Sequence, residues 1–178
     1  MTRIAMWALR RFRRDERGSM TIEVALMLPL FITLLLCTIE AGMLMVRHTM
    51  LDRSLDMVVR DLRLGRYTNP TVAQLRADIC ARTVVMPNCA RDVMLEMRPI
   101  SRATWDLPTG RQPCIDRTTD IEPATTFIPG GANQLVIVRL CAIFNPLFPT
   151  TPWGLRLPLD ASGGYQLLAM STFVNEPR

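Results

Sequence analysis

Residues 24–46 form an apolar run of 23 residues that is broken only by the charged side chain of Glu40. A helix of about 20 such residues spans the ~30 Å hydrocarbon core of a bilayer. Pro29 is compatible with this assignment, because transmembrane helices tolerate a proline with a modest kink. The run therefore predicts one membrane-spanning helix near the N terminus rather than a helix buried in a soluble core.

The positive charge of the chain is concentrated before this run. The net charge is +5, and the first 18 residues hold six arginines against Asp15 and Glu16. From Ser19 onwards, 15 arginines are nearly balanced by 14 acidic residues. Short Arg-rich flanks stay in the cytoplasm, so the helix is expected to insert with its N terminus inside. Because the basic character belongs to the leader, no nucleic-acid partner is expected.

The helix is predicted to continue beyond the membrane. After Arg47, apolar residues recur at a 4-3-4 spacing, which places them on one helix face: Leu51, Leu55, Val58 and Leu62. Gly65 is a plausible C-terminal cap. One helix is therefore expected from about residue 20 to residue 64, with its first half facing lipid and its second half facing protein.

The rest of the chain predicts a small mixed domain. A short helix is expected at 70–82, with Asn69 as N-cap and Pro70 at the first helical position. Strands are expected around 93–97, at 134–144 and at 165–174, and residues 99–133 read mostly as loop.

The predicted fold class is α+β. A long N-terminal transmembrane-plus-amphipathic helix is followed by a small disulfide-bonded domain with a short helix and an antiparallel sheet. The corresponding segments are a basic cytoplasmic leader (1–18), the extended helix (19–65) and a head domain (66–178).

Four interpretations compete for the N terminus. A secretory signal peptide fits poorly, because the apolar run is too long and no small-residue cleavage site follows it. A lipoprotein signal ending at Cys37 lacks the small residue expected at position 36. A plain signal anchor is the simplest alternative. The fourth resembles a type IV prepilin site, with a basic leader, Gly18 before the cut, Ser19 after it, and Glu23 as the fifth mature residue.

More narrowly, the chain resembles the TadE-like family, the minor pilin-like proteins of the tight-adherence (Flp) pilus system. The resemblance rests on Gly18 and Glu23, on Pro29 within Leu-Pro-Leu-Phe, on the Ile-Glu-Ala-Gly sequence that contains Glu40, and on the amphipathic stretch that follows. It implies a bacterial inner-membrane protein with a periplasmic head, possible incorporation in a pilus, and partners among pilin-like subunits, the pilus assembly machinery and prepilin peptidase.

Glu23 and Glu40 are candidate assembly residues. They are 17 residues apart, or ~25 Å along a helix, which places one near each membrane face. A carboxylate in the bilayer is costly, so each either extends to the headgroups or has a functional partner. For Glu23 the resemblance implies that this partner is the N-terminal amine of a neighbouring subunit.

The cysteines divide by compartment. Cys37 lies in the membrane segment, whereas the other four lie on the exported side, where disulfides persist. Four cysteines allow three pairings, of which Cys80–Cys89 with Cys114–Cys141 is favoured here. A zinc site is the alternative, although the spacings lack a Cys-x-x-Cys pair.

No residue constellation predicts catalysis or a cofactor. The only histidine, His48, follows the membrane segment directly, and the sequence has no glycine-rich phosphate loop and no HExxH motif. Two hypotheses stay open: a pilin-like subunit in pilus assembly or structure, and an uncleaved bitopic inner-membrane protein with a periplasmic binding or adaptor domain.

Overall fold

A computed structural model describes residues 19–84, 86, 88–108, 113–119, 123–151 and 154–176. The leader 1–18, including Gly18, lies outside the described residues. The elements follow in the order α1 (Ser19–Arg63), α2 (Val72–Ala81), α3 (Cys89–Asp92), β1 (Val93–Ile100), β2 (Leu135–Phe144) and β3 (Tyr165–Val174), with a 3-10 turn at Gly154–Arg156. This is the α+β architecture that the sequence predicts.

Helix α1 is 45 residues long, about 68 Å at 1.5 Å per residue. It contains Pro29 and ends at Arg63, and the predicted cap Gly65 follows with a φ of 70°, which is easily reached only by glycine. The N–H of Gly65 donates to Leu62 O and that of Arg66 donates to Asp61 O. These two bonds form a Schellman motif, which satisfies carbonyls that the last turn leaves open.

Helix α2 begins two residues later than the sequence suggests. Its N-cap is Thr71, whose side-chain oxygen accepts a hydrogen bond from Gln74 N. The assignment of Asn69 as N-cap was therefore wrong, and Pro70 precedes the cap instead of opening the helix. A threonine with extended backbone can satisfy the free N–H one turn ahead, and this contact decides the start.

The sheet has the order β1-β2-β3 and is antiparallel throughout. Strand β1 is longer than the predicted segment and includes Pro99, which a sheet tolerates because β1 is an edge strand. The edge of β1 is partly covered by Phe127, which forms a bridge with Met97.

The hydrophobic core lies between one face of this sheet and the helices. The predicted stripe of α1, from Leu51 to Leu62, is buried there, together with Leu75 and Ile79 of α2. The core therefore includes residues from both sides of position 65. The division of the chain into segments at that position stays a prediction.

On the opposite sheet face, the long connection between β1 and β2 covers part of these two strands, whereas the outward side chains of β3 are exposed. Ile115 of this connection is buried, and Cys114 is bonded to Cys141 in the middle of β2. On the same face Arg139 of β2 pairs with Glu96, its cross-strand neighbour on β1. The disulfide thus closes loop structure onto a sheet face that would otherwise be exposed.

The second disulfide joins Cys80 at the end of α2 to Cys89 at the start of α3. The Cα atoms are 5.5 Å apart in this pair and 5.4 Å apart in Cys114–Cys141. These are the two pairs favoured from the sequence. Cys37, in the apolar half of α1, is the free cysteine.

We predict that alkylation of the unfolded, membrane-extracted chain labels one cysteine before reduction and all five afterwards. Replacing either disulfide pair by serine should lower the free energy of unfolding by about 2–4 kcal/mol, more for Cys114–Cys141 because it closes the longer loop. Mass spectrometry counts the labels and denaturant unfolding gives the energies. Labelling of all five cysteines without reductant would contradict the disulfides.

The end of α1 far from the N terminus is held by an acidic residue between two arginines. Asp61 accepts hydrogen bonds from Arg82 at 2.7 Å and from Arg66 at 2.9 Å. The hydrogen bond from Arg82 is the main reason that the pKa of Asp61 lies below its ordinary value of 3.8, although burial opposes the shift. Nearby, Tyr67 donates to Asp78, and burial followed by this bond raises the pKa of Tyr67 to about 12.

A depressed folded-state pKa means that Asp61 stabilises the fold above its unfolded pKa and loses this contribution as the pH falls. We expect Asp61→Asn to lower the free energy of unfolding by about 1–2 kcal/mol at pH 7. The difference from wild type should shrink below pH 4, as the wild-type carboxylate is protonated too. Asp56→Asn is the control, because Asp56 is exposed on the same helix. An Asp61→Asn effect of equal size at both pH values would exclude the ion pair as its source.

Candidate functional site

The N-terminal half of α1 is an exposed apolar rod. The helix is long and apolar enough to cross a membrane, and none of its most apolar 18-residue window is buried by the rest of the chain. A core helix of a soluble protein would be covered by its own domain. Large apolar side chains are instead exposed on every side of the rod, among them Ile22, Leu26, Phe31 and Leu35. This surface is suited to lipid and to neighbouring helices.

Glu23 lies on this rod, one turn after Ser19. Its side chain is exposed and has no hydrogen bond or ion pair with the described residues. Ser19 is the first residue of α1. Glu23 is therefore a carboxylate in an apolar surface that is available to a positive group on another molecule.

Glu40 has a different environment, and the two carboxylates are not brought together. Glu40 is fully buried, and its Oε2 accepts hydrogen bonds from the backbone N–H groups of Leu147 and Phe148, at 2.8 and 2.9 Å. Its Oε1 is buried as well and has no hydrogen-bond partner among the described residues. The carboxylate is thus held inside the protein, under the connection that follows β2, and does not extend to solvent.

Two turns further along α1, Arg47 binds the start of the same connection. Its guanidinium donates to Asn145 O at 2.9 Å and to the Tyr165 hydroxyl at 2.6 Å. It also lies over the Phe144 ring, with Cζ 5.2 Å from the ring centroid, a favourable cation–π geometry. Burial raises the pKa of Tyr165, while the bond from Arg47 opposes this shift.

Together these contacts form what we call the helix–head junction: Glu40, Arg47, Asn145, Leu147, Phe148 and Tyr165. Sequence reasoning found only Glu40 and gave it no partner inside the chain. One signal could have found more. The helical period of 3.6 residues, followed backwards from Leu51, places Arg47, Leu44 and Glu40 close to the direction of the buried stripe. These residues therefore lie on the face of α1 that meets the head.

The comparisons with known proteins bear on the first part of the chain. Residues 18–60 match the family model of TadE-like protein. This match confirms the resemblance that the sequence indicates. It covers the apolar rod, Gly18, Glu23 and Glu40, and most of the buried stripe. No curated protein and no solved structure matches the chain. The match and the apolar helix together support a membrane-anchored, pilus-associated protein, and the TadE-like family is not a family of enzymes.

We predict that Glu40→Ala accelerates hydrogen exchange of the Leu147 and Phe148 amides in the full-length protein. The substitution leaves two donors without their charged acceptor, a cost of about 1–3 kcal/mol, which corresponds to roughly 5- to 150-fold faster exchange by local opening. Glu40→Gln should have a smaller effect, because one neutral acceptor is retained.

Glu23→Ala is the matched control, since it removes the other carboxylate of the same apolar segment. It should leave exchange at these two amides unchanged. Equal exchange in wild type and Glu40→Ala would show that the carboxylate does not hold the connection in place.

Proposed function

We propose that this chain is a membrane-anchored, pilin-like subunit that acts in the assembly or structure of a tight-adherence type IV pilus. The observation that carries the proposal is the shape of α1. Its first half is an uncovered apolar rod within the TadE-like match, while its second half forms the core of a head. A subunit of this shape can reside in the inner membrane before assembly and pack its rod against the rods of other pilin-like subunits.

The position of Glu23 supports the proposal. A carboxylate in an apolar environment is costly unless a positive group offsets its charge, and the described part of this chain supplies none to Glu23. Cleavage between Gly18 and Ser19 by a prepilin peptidase would create an α-amino group one helical turn away. In a bundle of rods, the amine of one subunit could then pair with Glu23 of its neighbour.

The alternative is an uncleaved bitopic protein whose head is a binding or adaptor domain outside the inner membrane. A cleft of about 490 Å³ at the end of the head far from the apolar rod fits such a role. It is lined by Leu62, Tyr67, Asn69, Pro129, Phe173 and Asn175, among others. The lining combines apolar and amide side chains with one carboxylate, Glu176, which is paired with Arg63.

Cleavage of the leader distinguishes the two candidate functions. We expect the membrane-extracted protein to begin at Ser19, and Gly18→Leu to retain Met1, because a prepilin-type peptidase must fit a small residue there. Intact-mass measurement reads out both. Gly42→Leu is the matched control: it is the same change in the same chain, at an exposed position where an added Cβ atom has no contact within 4 Å. It should be processed like wild type.

Glu23→Gln then tests assembly independently of processing. We expect this variant to be cleaved and inserted normally but to be lost from crosslinked complexes with other pilin-like subunits. A wild-type protein that keeps Met1 would favour the bitopic alternative. Normal complexes in the Glu23→Gln variant would remove the proposed role of this carboxylate.

A further inference from the structure

The connection after β2 runs along α1 towards the membrane segment. It starts at Asn145, whose carbonyl oxygen is bound by Arg47, and reaches Leu147 and Phe148, whose N–H groups are bound by Glu40. Arg47 and Glu40 are seven residues apart, which is about 10 Å along the helix axis. We call residues 145–151 the descending loop. From the level of Arg47 this loop extends about two helical turns towards the N terminus of α1.

Those two turns belong to the apolar surface of α1. Between Glu40 and Arg47 there is no charged residue, and Met45 is still 63% exposed. A hydrocarbon core of ~30 Å that starts at Val24 ends near residue 43, and one that starts at Met20 ends next to Glu40. In both placements Glu40, and with it Leu147, lies at the edge of the hydrocarbon core or slightly inside it.

The descending loop has the composition and the hydrogen bonding that such a position requires. Its first six residues, NPLFPT, carry no charge, and the side chain of Leu147 is 44% exposed. Backbone donors in a bilayer must be satisfied within the protein. Pro146 and Pro149 have no N–H, and the two N–H groups between them are taken by Glu40.

We propose that the descending loop is seated in the head-side leaflet of the bilayer, at the boundary between headgroups and acyl chains, with Leu147 in contact with lipid. Glu40 is its positioning residue: the carboxylate accepts the loop's N–H groups, and the loop in turn shields the carboxylate from lipid. The head is thereby supported on the membrane at a second point beside α1. The proposal rests on membrane anchoring by α1 and does not depend on a role in a pilus.

The test measures lipid contact in the full-length chain. A Cys37→Ala background leaves no free thiol, since the other cysteines form disulfides. Leu147→Cys is labelled with an environment-sensitive fluorophore and reconstituted into vesicles of phosphatidylethanolamine and phosphatidylglycerol that contain lipids spin-labelled high on the acyl chain. We expect blue-shifted emission and strong quenching by these lipids.

Two further labelling sites make the outcome specific. Leu35→Cys, on the exposed face of the apolar rod, should be quenched by deeper spin labels, which verifies insertion of α1. Val174→Cys is the matched control in the head: it replaces an aliphatic side chain of similar exposure, 39%, at the opposite end of β3 from the junction, and should not be quenched.

Quenching at position 35 with none at position 147 would overturn the seating of the loop while leaving the anchor intact. Absence of quenching at position 35 would overturn both. Adding Glu40→Ala should reduce the quenching at position 147 without changing that at position 35. Unchanged quenching at position 147 in this variant would overturn the positioning role of Glu40.

Discussion

The face of α1 that meets the head is the constraint on which the rest of the structure depends. A single helix has to serve two surroundings, since residues before Glu40 are uncovered and residues from Leu51 to Leu62 are buried in a protein core. The face that carries both Glu40 and the buried stripe fixes the rotation of the helix against the sheet. The core between the sheet and the helices is arranged around this one face.

The transition between the two surroundings is made by charged groups rather than by a linker. Glu40 and Arg47 lie on the same face as the buried stripe, and each binds the backbone of the connection after β2. A fully buried carboxylate without compensating donors would be strongly destabilising, and the two N–H groups supply that compensation. In this way the chain buries a charge beside its apolar segment and satisfies it with backbone N–H groups.

The head is small, and both faces of its three-stranded sheet need to be covered. One three-stranded sheet has helices on one face and a long irregular connection on the other, and the Cys114–Cys141 disulfide fixes that connection to the central strand. Asp61 with its two arginines closes the far end of α1 against α2. These local restraints supplement the core of a small head, as disulfides do in small domains.

The sequence by itself determined the elements whose signals are local. The apolar run, the 4-3-4 stripe from Leu51 to Leu62 and the glycine at position 65 predict α1 and its end, because helix periodicity and capping involve residues a few positions apart. The strands were found for the same reason. The TadE-like resemblance also rests on local motifs, and the family match covers the same region. The start of α2 was missed because two neighbouring residues, Asn69 and Thr71, are both good caps, and only the backbone conformation selects between them.

Only the tertiary structure decided what Glu40 does. Its two donors, Leu147 and Phe148, are more than 100 residues away along the chain. No periodicity in the sequence connects a helix residue to backbone N–H groups in a distant loop, because any residue except proline can supply them. The same holds for Arg47, whose partners are the backbone carbonyl that follows β2 and the tyrosine hydroxyl at the start of β3. Long-range contacts to backbone atoms carry no sequence signature, and so the helix–head junction could be seen only once the chain was folded.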